Sequence, residues 1–173
     1  MNSMFANDIE NYMQKWRKLV ASMAAASTFQ SYTPTAIGWK AEDLKEFNQI
    51  CETLRDQSEQ VHYGWVNERW LATFYLREPL LNNVRLVKIM QRRPGSQDAV
   101  GLDHIDFLVP SLESARQLLQ NENLKCNDEQ NGICKWISIW FDNTEAKLRT
   151  KTVLQVCAEE MLDYQQKIIG PSK

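Results

Sequence analysis

The sequence lacks the features that mark several common classes of protein. Its four cysteines, at positions 51, 126, 134 and 157, show no CxxC spacing, which argues against a zinc ribbon or a redox motif and predicts free thiols. No apolar run is long enough to span a bilayer, and the charged N-terminal residues are unlike a signal peptide. We therefore expect a cytoplasmic protein without a membrane partner.

The charge pattern gives no sign of a nucleic-acid partner. The chain has 20 basic and 22 acidic residues among its 173, for a net charge of -2. One small basic cluster (Arg85, Lys88, Arg92, Arg93) has no interleaved aromatic residues, so we expect no nucleic-acid binding. There is no glycine-rich phosphate loop and no Cys-His pair at an informative spacing. With 43% hydrophobic and 24% charged residues, the composition is that of a globular protein with a substantial core.

The most informative stretch is GLDHIDFLVP at 101–110, which alternates between polar and apolar residues. A period of two over this length predicts a half-buried strand. Its apolar side (Ile105, Phe107, Val109) belongs to a core, whereas the other side carries His104 and Asp106 close together. Ser111 then caps a helix, so a strand with a polar face leads directly into an amphipathic helix.

The remaining elements fall into two halves with the same order. The first half predicts a strand at 35–39, a helix at 41–60 and strands at 61–66, 69–77 and 84–91. The Pro-Gly break at 92–99 follows, and the second half predicts a strand at 102–109, a helix at 112–122 and strands at 124–127, 134–141 and 151–157. Helices are expected before and after the two halves, at 8–23 and 158–169.

This order predicts an α+β fold of two βαβββ modules whose curved mixed sheet surrounds a cleft. We expect one compact domain with an N-terminal helical segment at 1–34, a first module at 35–94 and a second module with its C-terminal helix at 100–173. The polar strand faces of both halves should meet at the cleft, because burying them under the helices would leave charges and an imidazole without partners.

A doubled βαβββ unit resembles the glyoxalase or vicinal oxygen chelate superfamily, and within it the YecM-type branch of uncharacterised proteins. The resemblance runs from the N-terminal to the C-terminal helix. It is sharpest at FYLREP (74–79) and LDHIDFLVPS (102–111), whose order and separation also fit.

The resemblance implies a metal site in the cleft, with ligands from the first and last strands of each module. His104 matches the first-strand position of the second module, and Gln91 and Gln155 match the last strands of the two modules. The first strand of the first module offers only Ala36 and Gly38. One imidazole and two amides are a poor donor set for a divalent metal, so we expect no tightly bound metal and no cofactor, with His104 as a weak candidate ligand.

Further residues are candidates for binding a small molecule. Asp106 shares a face with His104 and is either a ligand-orienting group or a solvated carboxylate. Tyr75 and Arg77 share a face of their strand. The planar guanidinium group of Arg77 suits a bound carboxylate or phosphate but also suits a surface ion pair. The sequence leaves open which face of the strand at 134–141 packs in the core. One face carries Trp136, Ser138 and Trp140, and the other carries Ile137, Ile139 and Phe141.

Three interpretations of the function therefore remain open, and the sequence does not decide whether the protein is an enzyme. The first is a small-molecule-binding protein of glyoxalase-like fold with a degraded metal site around His104, Asp106, Gln91, Gln155, Tyr75 and Arg77. The alternative is a metal-dependent isomerase, lyase or dioxygenase centred on His104. A third interpretation is an interaction module that docks through its N-terminal helix.

Overall fold

The structure of the protein is a computed structural model that describes residues 2–66, 68–80, 84–124, 126–131, 134–140 and 153–157. For residues 2–4, 129–131, 134, 140 and 153–157 it describes only the backbone. The helix expected at 158–169 lies outside the described residues. Within them, no helix is long and apolar enough to cross a membrane.

Two helices precede the sheet. Helix α1 (Asn2–Ala21) begins six residues earlier than expected and buries one stripe at steps of three and four, formed by Phe5, Ile9, Tyr12, Trp16 and Val20. The Phe5 ring packs 4.9 Å from that of Trp39, and the Trp16 ring packs 5.4 Å from that of Phe107. A short helix α2 (Ala26–Gln30), in a segment expected to be a loop, buries Phe29 against Trp16. The apolar stripe of α1 is thus covered by the protein's own sheet.

Eight strands form one mixed sheet in the order β2-β3-β4-β1-β5-β8-β7-β6. The strands are β1 (Thr33–Ala41), β2 (Ser58–Val66), β3 (Arg69–Leu76), β4 (Leu86–Gln91), β5 (Gly101–Leu108), β6 (Cys126–Asn131), β7 (Cys134–Trp140) and β8 (Val153–Cys157). Helix α3 (Leu44–Arg55) follows β1, and helix α4 (Leu112–Asn121) follows β5.

The two halves of the sheet repeat one pattern, which confirms the predicted pair of βαβββ modules. In each half the first strand lies beside the last, in parallel, and the other two strands continue outward by antiparallel pairing. The halves join where β1 pairs antiparallel with β5. The described residues between β4 and β5, 92–100, contain no helix or strand. The domain limits expected at 94 and 100 remain a prediction.

Helices α3 and α4 both lie on one side of the sheet. The Asp43 side chain accepts a hydrogen bond from the Glu46 N–H and so begins α3 three residues later than expected. The helix also ends earlier, because Ser58 already pairs with Leu76 in the sheet. Ser111 caps α4 as the sequence predicted, by accepting from the Ser114 N–H.

The main core lies between these helices and the sheet, as the alternation of β5 predicted. It contains the apolar residues of β5 (Ile105, Phe107, Val109), the buried faces of α3 and α4, and Ile137 and Ile139 of β7. His104 and Asp106 point to the opposite side of β5. The apolar side of β7 is therefore its isoleucine side, which resolves the alternative that the sequence left open.

Candidate functional site

A cluster of polar side chains lies where the two modules meet. Backbone pairing puts Lys88 of β4, Gly38 of β1 and His104 of β5 in one row across the sheet, and Ala36 and Asp106 in the next row. Paired residues on neighbouring strands share a face of the sheet. We call the side with Lys88, His104 and Asp106 the polar face. It is the side of the sheet opposite α3 and α4.

His104 is almost fully buried and is held by a hydrogen bond at one ring nitrogen. Its Nδ1 lies 2.8 Å from Oδ2 of Asp103, and its side chain is 7% exposed. Its other ring nitrogen, Nε2, lies 3.7 Å from Oδ1 of Asp106. That separation is too long for a hydrogen bond between them. Within the described part of the chain, neither atom has a hydrogen-bond partner.

Asp106 is fully buried and forms an ion pair with Lys88. The Lys88 Nζ donates to Oδ2 of Asp106 over 2.6 Å, and the Lys88 side chain is only 14% exposed. Each charged group has lost most of its contact with water, so burying either one without its partner would be strongly unfavourable. The sequence offered a solvated carboxylate as one interpretation of Asp106, and the burial excludes it.

Asp103 links His104 to a second buried lysine. The Lys40 Nζ lies 2.8 Å from Oδ1 of Asp103 and 3.1 Å from Oδ2 of Asp98, and its side chain is 3% exposed. Burial raises the pKa of Asp103. The hydrogen bond and the electrostatic attraction from His104, together with the Lys40 ammonium, outweigh that effect, so the pKa lies well below its ordinary value. Asp103 is therefore ionised at neutral pH.

Gly38 provides the space that the imidazole occupies. A Cβ at this position would lie 2.1 Å from Cε1 and 2.5 Å from Nε2 of His104. Any side chain here would displace the ring. In the superfamily pattern this strand of the first module supplies a metal ligand. Here Gly38 has no side chain, and the imidazole of His104 fills the space beside it.

The donor set does not suit a divalent metal. Among the described residues, no group of three His, Cys, Asp or Glu side chains could hold a metal ion. Among the side chains that the structure describes at this junction, Nε2 of His104 and Oδ1 of Asp106 are the unpaired atoms that could bind a metal, and the Lys88 ammonium is bonded to the other Asp106 oxygen. A resident positive charge so close to the carboxylate opposes a second cation, and two donors are fewer than a protein zinc site uses.

The structure brings together some of the residues predicted from the sequence and separates others. Tyr75 lies on the polar face, because it pairs with Leu86 in the row of Ala36 and Asp106. The backbone of Gln155 pairs with Asp106 and with Ser138. Ser138, which is 1% exposed, thus continues the same row.

Gln91 and Arg77 do not join this cluster. The register of β4 on β1 is unbroken from Leu86 to Gln91, so Gln91 lies three residues beyond Lys88, on the opposite face. Gln91 was a candidate ligand because it ends the last strand of the first module. The alternation of side chains along β4 nevertheless places it on the face opposite Lys88. The Arg77 guanidinium donates to the Asp56 carbonyl over 2.6 Å and so supports the end of α3.

Sequence reasoning missed four residues of the site: Gly38 as a spacer, and Lys40, Lys88 and Asp103 as charged members. Lys88 was recognised as part of a small basic cluster, and alternation placed it on the face opposite Val87 and Ile89, but it was given no role in the site. No local signal could have paired it with Asp106, because that contact depends on the order of three strands.

Comparison with known proteins places the fold but not the activity. No protein-family model matches the sequence, and no curated protein matches it either. The structure is similar to a structural-genomics protein, Protein EC4020, with a TM-score of 0.64 and 11% identity over 95% of this chain and 87% of the other. It is also similar to methylmalonyl-CoA epimerase from Mycobacterium tuberculosis, with a TM-score of 0.50 and 11% identity over 75% of this chain and 91% of that enzyme.

At this identity the likeness concerns the fold alone. Methylmalonyl-CoA epimerase is a member of the vicinal oxygen chelate superfamily, and its likeness to this chain agrees with the repeated βαβββ order of the two modules. The architecture predicted from the sequence is therefore confirmed: the protein has a glyoxalase-like fold.

Proposed function

We propose that the protein is a small-molecule-binding member of the YecM-type branch, whose site at the junction of the modules works without a tightly held metal. One observation carries the proposal. Two buried polar atoms, Nε2 of His104 and Oδ1 of Asp106, face each other across 3.7 Å without a hydrogen-bond partner in the described chain.

Unpaired polar atoms in a protein interior are costly. A buried group without a hydrogen bond costs about 1–3 kcal/mol, so the pair represents a substantial penalty in the free protein. A ligand that bonds both atoms recovers this free energy. Such paired, convergent groups are typical of sites that orient a small molecule.

The surrounding charges keep the two atoms in place. Asp103 fixes the ring of His104, and Lys88 fixes the carboxylate of Asp106. Neither side chain needs to reorganise when a ligand arrives, which favours binding. Ser138 and Tyr75 extend the same row of the sheet, and we propose that the ligand lies along it, with Gln155 contributing from β8.

Lys88 supports the metal-free part of the proposal. In a metal site of this fold the positive charge beside the carboxylate belongs to the ion. Here the Lys88 ammonium supplies that charge at 2.6 Å from Asp106. A divalent cation at His104 would have to share Asp106 with Lys88, at an electrostatic cost.

The test uses protein purified without chelators. Elemental analysis should find no stoichiometric Fe, Mn, Ni or Zn. Native mass spectrometry or solvent extraction should detect a co-purifying organic compound, or a fragment screen should detect binding of a small molecule. In either assay His104→Ala should abolish the binding. The exposed His62 provides the matched control, since His62→Ala should change nothing.

A stoichiometric metal that is lost in His104→Ala would contradict the proposal. It would favour the alternative of a metal-dependent isomerase, lyase or dioxygenase. Ligand binding that persists in His104→Ala would also contradict the proposed site.

A further inference from the structure

The two outer strands of the sheet differ in how they are protected from pairing with another chain. Strands β2 and β6 end the order of the described strands, so among the described residues one side of each has no neighbouring strand. The free side of an edge strand offers backbone N–H and C=O groups to any extended chain that approaches. Natural proteins prevent such pairing with charged residues, proline, bulges or short edge strands. Strand β6 has this protection and β2 does not.

Strand β6 is protected by charge. It has six residues, and positions 128 and 129 are both acidic. The exposed carboxylate of Asp128 accepts a hydrogen bond from the Arg116 guanidinium of α4 over 2.7 Å. A second chain that paired with this strand would have to remove water from these charged groups, and that cost opposes pairing.

Strand β2 lacks these protections between Gln60 and Val66, a stretch that we call the bare edge. The whole strand has nine residues, more than the roughly five or six of an ordinary strand. The bare edge contains no Lys, Arg, Asp, Glu or Pro, and its register with β3 is unbroken. Glu59, the charged residue just before it, is already paired with Arg85.

The bare edge also exposes aromatic side chains. Trp65 is 60% exposed, Tyr63 is 40% exposed, and Trp70, which pairs with Trp65 from β3, is 39% exposed. The two tryptophan rings pack edge to face with their centroids 5.3 Å apart. Because side chains alternate along a strand, Val61, Tyr63 and Trp65 share one face of β2. Large aromatic side chains exposed side by side are typical of a surface that another chain covers.

We infer that the protein dimerises through β2, whose bare edge pairs antiparallel with the bare edge of a second copy. A twofold axis at Tyr63 sets this residue against its own counterpart, and it sets Val61 against the partner's Trp65. Every pair within the bare edges then joins uncharged residues, and the aromatic and aliphatic side chains meet on one face. Such cross-strand pairs stabilise sheets, and the arrangement is self-complementary, as a twofold interface requires. The proposed interface is separate from the ligand site, because three strands lie between β2 and β5.

The contrast between the two edges favours a closed pair of copies. Pairing of β2 with β2 covers the bare edge of both molecules, and the edges that remain are the charged β6 strands. Growth into a longer assembly, which two bare edges would promote, therefore stops at two copies. A strand from another protein would meet the same backbone groups, but a second copy also supplies the matching apolar positions.

The size of the interface predicts a weak dimer. An aromatic side chain has about 150–250 Å² of surface to bury, so the exposed parts of Tyr63, Trp65 and Trp70 amount to roughly 200–350 Å² per copy. Together with the paired backbone, this is less than the ~800 Å² per partner of a standard interface. We therefore expect a dimer that dissociates on dilution, with a dissociation constant of roughly micromolar or weaker.

Sedimentation velocity of the full chain, from roughly micromolar to millimolar concentration, tests the inference. The wild-type protein should change from monomer to dimer as its concentration rises. Trp65→Lys places a charge on the bare edge and should weaken the dimer at least about tenfold. Val100→Lys is the matched control, because it places the same charge at an exposed apolar residue outside the strands. This control should dimerise like the wild type.

Oxidative cross-linking tests the register and does not depend on the lysine variants. Tyr63→Cys places two thiols opposite each other at the axis, with about 4.5–5.5 Å between their Cα atoms, which suits a disulfide. Glu59→Cys places them eight residues apart along the paired strands, about 27 Å, which is too far. Only Tyr63→Cys should give a covalent dimer under mild oxidation. The wild type controls for the native cysteines.

Three results would overturn the inference. A monomer at every concentration would leave the bare edge to a strand of another protein. A dimer that Trp65→Lys leaves unchanged, or that Val100→Lys weakens equally, would lie on another surface. Cross-linking of Glu59→Cys but not of Tyr63→Cys would refute the proposed pairing. Circular dichroism checks that each variant is folded, and the cross-linking comparison decides if Trp65→Lys is not.

Discussion

Replacing Gly38 by alanine tests the packing of the site most sharply. The new methyl carbon would lie 2.1 Å from Cε1 of His104, far inside any normal contact distance. Gly38 does not have a left-handed backbone conformation, so the substitution acts through space alone. The ring must leave its position and lose its hydrogen bond to Asp103.

The expected loss of stability follows from these two effects. Overpacking of a filled interior costs about 1–3 kcal/mol. Loss of a hydrogen bond to a charged group costs about 1.5–3 kcal/mol. We expect Gly38→Ala to lower the free energy of unfolding by about 3–5 kcal/mol, a large part of the stability of an ordinary domain. Urea unfolding followed by tryptophan fluorescence measures it.

Gly64→Ala is the matched control. A Cβ at Gly64 would come no closer than 3.7 Å to another residue, at Nε2 of His62, which is an ordinary contact. This change in strand β2 should leave stability the same or raise it by about 0.5–1 kcal/mol. In a His104→Ala background, Gly38→Ala should cost much less, because the ring is gone. Equal costs for Gly38→Ala and Gly64→Ala in the wild-type background would refute the proposed packing.

Three further predictions concern the charged network and the core. Lys88→Met leaves the carboxylate of Asp106 buried without its partner and should lower the free energy of unfolding, measured in urea, by about 3–5 kcal/mol. Adding Asp106→Asn should restore part of that loss in the double variant. A loss below about 1 kcal/mol would contradict the buried ion pair. The folded-state pKa of Asp103 is depressed, so its ionised form contributes its full stabilisation above the ordinary pKa of about 3.9, and this contribution is lost progressively as the pH falls from there to the lower folded-state pKa. Asp103→Asn should therefore flatten the decline in unfolding free energy on acidification, and an unchanged slope would contradict the assignment. Burial raises the pKa of Cys51 to about 12, so iodoacetamide at pH 8 should modify it only after unfolding; rapid labelling of the native protein would show that this thiol is accessible.

The order of elements was predictable because it depends on local signals. Alternation in 102–109 indicated the face of β5, and the Pro-Gly break indicated the irregular segment between β4 and β5. Asp43 and Ser111 mark the helix starts, although the cap at Asp43 was not recognised in advance and α3 was predicted too long. The five-residue helix α2 has too few residues to show a period, which is why it was expected to be a loop.

The site was predictable only in part, because it depends on pairing between distant strands. The sequence placed His104 and Asp106 together, since they are two residues apart on one strand. It could not bring Lys88 to Asp106 or Gly38 beneath His104, because both contacts require β1 to lie between β4 and β5. Residues chosen by their position in a family pattern, such as Gln91, were less reliable than residues chosen by alternation.

A crystal structure of protein purified without chelators, with anomalous diffraction data, tests the central claim most directly. We predict density for a water or an organic group within hydrogen-bond distance of both Nε2 of His104 and Oδ1 of Asp106, with no anomalous peak there. The Lys88 ammonium should remain bonded to Asp106. An anomalous peak at full occupancy, about 2.0–2.2 Å from three or more protein side chains including His104, would contradict the claim.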